Sequence, residues 1–159
     1  MATFSFEKDV NDVAEPIAIA EGWYKARVTK EPEVKPNKKA TEGLSYEEGA
    51  GKNMVINLML AENSDDEVNG RTYTIWLPFP LEQDMGVLDN RGMDKYDAKM
   101  ARITQFAEAA VGAVADGQDV DINQGAMVGV YVNKGINQQS QQIENNVNAF
   151  NGFKDPEEI

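Results

Sequence analysis

Trp23, Lys25 and Arg27 alternate along the segment GWYKARVTK (22–30), while Tyr24, Ala26 and Val28 occupy the positions between them. A period of two is the signature of a strand. One face of this strand therefore carries an indole beside two cations. A single nucleic-acid strand is held by that combination: a flat ring for a base to stack on and positive charge for the phosphates. The ordinary alternative is an edge strand with a solvated polar face, since exposed Lys and Arg are common there. Further candidates lie downstream. Lys35, Lys38, Lys39 and Tyr46 fall in a polar connector, and Lys52, Arg71, Tyr73 and Trp76 fall on the next two apolar segments. Tyr73 shares its face with Ile75 and Leu77, which favours a core position. Trp76 sits with Thr72 and Thr74, which favours exposure.

The background makes the cations conspicuous. The chain has 159 residues, 15 basic and 27 acidic, for a formal charge of −12. Such a molecule is repelled by anionic surfaces on average, so any nucleic-acid site must be local. Between Lys25 and Lys39 the balance reverses, with six basic and two acidic residues. Cysteine and histidine are both absent. That excludes disulfides, thiolate or imidazole metal ligands, and Ser-His or Cys-His nucleophiles. The acidic run Asp65-Asp66-Glu67 lacks the ligand spacing of a calcium loop, and GAGK at 49–52 lacks the spacing of a phosphate-binding loop. Both read as turns. The expectation is a binding protein without catalytic residues, metal or cofactor. The N-terminus carries acids early and no apolar run, unlike a signal peptide. No stretch is long and apolar enough to span a membrane.

Positioning these residues requires a sheet. The pattern predicts an N-terminal arm over 1–21, a first strand over 22–31, a long connector over 31–51 and a second strand over 52–61. An acidic turn ending in Asn69-Gly70 leads to a third strand over 71–79, stopped by Pro78 and Pro80. Apolar residues from Tyr96 to Val114 recur at three and four, predicting a helix over 94–115 with Gly117 past its end. Strands over 126–133 and 143–150 flank a Gln-rich loop, and KDPEEI (154–159) forms a short acidic tail. The fold class is mainly β with one long helix. Three strands, a helix and two strands is the element order of the five-stranded Greek-key barrel called the OB-fold. The main domain then spans 22–153. The OB-fold binds single strands across its second and third strands and the adjoining loops.

With these elements in place, the chain resembles the small single-stranded DNA-binding proteins of bacteriophages. The similarity covers about residues 20–153. It is carried by GWYKARVTK, GKNMVINLML, NGRTYTIWL, MARITQFAEAAVG, MVGVYVN and a late Asn145-x-Val147-x-x-Phe150. The resemblance implies an OB-fold, sequence-tolerant binding of single-stranded DNA in phage replication or recombination, and work in the cytoplasm of an infected bacterium. Replication or recombination proteins are implied partners, and an oligomer is compatible with it. The tail is much shorter than in larger relatives. The rival expectation is a virion or protein-interaction component, suggested by the acidic charge and the Gln/Asn-rich stretch 137–148.

Overall fold

The computed structural model describes residues 17–36, 51–113 and 120–159. Among these residues, seven strands and one α-helix form in the order β1 (Gly22–Val28), β2 (Glu33–Pro36), β3 (Lys52–Leu60), β4 (Thr72–Pro78), α1 (Lys95–Val111), β5 (Met127–Ile136), β6 (Ile143–Val147) and β7 (Phe153–Lys154). All ladders are antiparallel. The path β2-β3-β1-β5-β6 carries β4 on β3 and β7 on β5. The sheet curls into a half-barrel compatible with an OB-like arrangement, and the helix follows the β3–β4 hairpin.

Five strands are expected from the sequence, and seven are present among the described residues. Two causes account for the difference. The first strand stops at Val28, and its partner changes from the far end of β3 (Leu58–Leu60) to the near end (Lys52–Val55) as β2 takes over. Pro32 lies in that break and has no N–H to donate to a ladder. The second cause is the tail. Phe153 and Lys154 pair with Val130 and Gly129, which makes a strand of residues expected to close the domain or lie beyond it. A glycine is required at 129: a Cβ there would sit 2.8 Å from the Lys154 carbonyl oxygen and collide with Ile159.

The core follows the period-two patterns. Ala26, Val28, Ile56, Leu58, Leu60, Ile75, Leu77, Val128, Val130 and Val132 all point into the curl. The helix closes one side with Phe106, whose ring meets Phe153 edge-on at 5.2 Å. Met100 and Val111, counted on the apolar helical face, remain exposed. The helix ends at Val111 with Gly112 at φ +89°, five residues before the expected Gly117. Positive φ is accessible to glycine without a Cβ clash, so the earlier glycine stops the helix. Asp94 caps its first turn by accepting from Asp97 N at 3.2 Å. Lys99 anchors the preceding turn through a 2.8 Å ion pair with Asp84. Burial pushes the Asp84 carboxyl up, but the bonds from Lys99 and from Leu81 N–H outweigh it and hold it below the ordinary range.

Two asparagine amides pin segments to the sheet as a strand would. Asn63 accepts from Lys25 N at 2.8 Å and donates to Lys25 O at 3.0 Å, which fastens the β3–β4 turn against β1. Asn145 accepts from Ile19 N at 2.8 Å and donates to Ile19 O at 2.9 Å, which fastens the segment before β1 against β6. Among the described residues, no helix is long and apolar enough to cross a membrane.

Candidate nucleic-acid interface

Residues directly opposite in an antiparallel pair share a face. The register therefore gives the layout of the outer surface. Arg27 lies opposite Met59, and Met59 opposite Thr72. Asn57 lies opposite Thr74, whose hydroxyl donates to Asn57 Oδ1 at 2.9 Å. Glu33 lies opposite Val55, and Val55 opposite Trp76. Lys35 lies opposite Asn53. Trp23 and Lys25 continue this face along β1 toward Tyr131 and Gly129 of β5. The result is one curved surface bearing two indoles, three of the expected cations and a row of short polar side chains.

The two indoles differ. Trp76 is 60% exposed and shields Val55, which is buried beneath it. Trp23 is half-buried: Tyr131 meets it edge-on at 5.5 Å, and Lys154 Nζ stands 4.4 Å from its ring centre. Ile159 of the tail shares a hollow with Trp23 and Lys25. The tail is thus an ordered cover over this end of β1.

The cations differ as well. Arg27 is 3.9 Å from Glu62, with both side chains partly in water. Glu33 receives Lys35 at 3.3 Å and Lys30 at 3.5 Å. The Lys35 hydrogen bond, helped by the charge of Lys30, holds the Glu33 carboxyl below its usual range. Exposed pairs like these are weak and exchange readily with water or a phosphate. Lys25 forms no ion pair among the described residues.

Three expected site residues lie off this face. Lys52 shares the parity of the inward Met54 and Ile56, and its ammonium stands 5.1 Å from the Phe79 ring centre. Tyr73 packs against the core, as its face-sharing with Ile75 and Leu77 predicts, and burial raises its phenol above the usual value. Arg71 lies on the same parity as Tyr73, with a buried Nε that has no hydrogen-bond partner. Arg71 and Tyr73 do reach a groove of about 900 Å³ between β4 and β6. Lys38, Lys39 and Tyr46 lie outside the described residues.

That groove exists because the half-barrel is not closed. β4 and β6 run in the same direction but do not pair. Bonds at Leu60–Arg71 and Lys52–Phe79 fix the ladder phase, so the backbone groups of Thr72, Thr74 and Trp76 point away from β3. Trp76 therefore stands where the outer face meets the groove. Sequence reasoning missed Asn57, Val55 and Tyr131 as its neighbours and those of Trp23, because cross-strand register is not written in local pattern. Among the described residues, no cluster of acidic side chains is placed to hold a metal ion.

No protein-family model matches the chain, and a search of curated proteins finds no match either.

Proposed function

We propose that the protein is an OB-fold protein that binds single-stranded DNA without sequence preference, in the manner of the phage proteins its sequence resembles. The observation that carries this reading is Trp76. Its open ring stands beside threonine and asparagine side chains and at the rim of the β4–β6 groove, where a base has a flat face to stack on. Bases stack on Trp76, Lys25 takes a phosphate directly, and Arg27 and Lys35 take phosphates by exchanging their weak carboxylate partners. The Gln-rich turn between β5 and β6 joins the last two strands, where an OB-fold has one of the loops that flank its binding face. The barrel order β4-β3-β1-β5-β6 with a helix after β4 supports the fold half of the reading.

Titrating tryptophan fluorescence with oligo-dT at two salt concentrations tests it. Quenching that weakens at higher salt is expected. An unchanged spectrum at saturating oligonucleotide overturns the reading.

A second reading, a virion or interaction component, draws on Ile136 and Ile143. They pair at the base of the β5–β6 turn, and both are exposed. An Ile136→Ser/Ile143→Ser variant that loses self-association while keeping the oligo-dT response would assign this tip to protein contacts.

A further inference from the structure

The motif Asn145-x-Val147-x-x-Phe150 places three side chains in three environments. Asn145 pins Ile19, Val147 packs on the core, and Phe150 is 64% exposed. Two guanidiniums converge on that exposed ring. Arg102 of α1 lies 4.3 Å from its centre, and Arg91, from the turn before α1, lies 5.6 Å away. Together with Ala98, Ala101 and Gln105 they line a hollow of about 140 Å³.

Two like charges held side by side are unfavourable unless something anionic joins them. Neither arginine forms an ion pair among the described residues, in a protein with an excess of carboxylates. Asp89 also lines the hollow and its charge partly offsets the repulsion, but it makes no ion pair with either guanidinium; its Oδ1 accepts from the backbone N–H groups of Arg91 and Met93, at 2.8 and 3.0 Å. Arg102 is held below its usual basicity, first by burial and then by repulsion from Arg91, with Asp89 opposing. Guanidinium forks match phosphate oxygens in geometry and are weakly hydrated for cations. The hollow adjoins the candidate path: Val147 lines the β4–β6 groove, and Phe150 follows three residues on, within about 11 Å of extended chain.

We propose that Arg91, Arg102 and Phe150 form a phosphate-binding hollow for the backbone of a single nucleic-acid strand leaving the groove, with the Phe150 ring offered to the adjoining base. This rests on the single-strand reading above and extends it to a surface beyond the sheet face. Anisotropy of labelled oligo-dT, measured over a range of NaCl concentrations, tests it on the full chain. The Arg91→Ala/Arg102→Ala variant should flatten the slope of log K against log salt by roughly 1.4, about 0.7 for each phosphate lost. Arg91→Lys/Arg102→Lys should restore the slope. Phe150→Ala should keep the slope and weaken binding at every salt by roughly five- to 150-fold, the range for one stacked base.

A mere structural clip predicts a different pattern: a lower unfolding temperature with the wild-type slope. That pattern, with wild type binding normally, overturns the hollow and leaves the sheet-face reading standing. If wild type does not bind oligo-dT, both readings fall. Should the double alanine variant fail to fold, Arg91→Ala alone decides, with a change in slope of roughly 0.7 expected and none overturning the proposal.

Discussion

β1 and β4 carry the same outer-face chemistry and present it differently. Each places an indole on the outside of the curled sheet among polar residues. On β1, Trp23 lies under Lys154 and against Tyr131, and the tail runs beside it. On β4, Trp76 stands open at the rim of the groove. The difference arises from what each strand adjoins. β1 is central, and its neighbour β5 also receives β7, so the tail is drawn across that end of the sheet. β4 is an edge strand with no partner beyond it among the described residues. An aromatic residue on the outer face of a strand is therefore a platform only where nothing later in the chain returns to cover it.

The largest effect should separate the two indoles. Trp76→Ala should weaken oligo-dT binding by about 1–3 kcal/mol at all salt concentrations and leave the unfolding temperature near wild type. Trp23→Ala should do the reverse, lowering the unfolding temperature by losing an edge-on ring pair and a cation–π contact worth together about 1–2 kcal/mol. Calorimetry and anisotropy on both variants measure this directly. Equal binding losses from the two would erase the contrast between open and covered platforms.

Deleting residues 155–159 sharpens the same contrast. Acrylamide should then quench Trp23 in a Trp76→Phe background more strongly than in the full chain. Quenching that does not change would mean that the tail does not shield β1.

Smaller effects concern the cations. Arg27→Ala should reduce the salt slope by roughly 0.7, the contribution of one phosphate contact. Glu33→Gln should release Lys30 and Lys35 from their shared carboxylate and strengthen binding by under about tenfold at low salt. Acid should mimic that substitution. The Glu33 carboxyl titrates below its ordinary value, so the pairs hold above that point and dissolve as pH falls through it. A gain from Glu33→Gln that persists at high salt would show that more than screened charge is involved.

Much of the fold is legible in the local pattern. The faces of β1, β3, β4 and β5 agree with alternation, because an apolar residue at every second position can be buried only one way. The helix is found from its periodicity, though Gly112 ends it earlier than Gly117. Two features are not legible. The break between β1 and β2 depends on which stretch of β3 is free to pair. The seventh strand is only two residues long, too short to show a period. The candidate site divides in the same way. Trp76 and the β1 face follow from parity, whereas Lys52, exposed at the first position of β3, has the parity of Met54 and Ile56 and so lies off the outer face. The cluster of Arg91, Arg102 and Phe150 joins segments up to 59 positions apart, and nothing in their spacing connects them.

The order of residues alone determined which side of each strand is apolar, where the chain turns and that its cations are concentrated near β1. These are properties of neighbours, fixed by steric period and by the cost of burying charge. Only tertiary packing decided which indole stays in water, which cations face carboxylates and where the barrel is left open. Those outcomes depend on distant segments meeting, and a return of the chain such as β7 is governed by the space left on the assembled sheet.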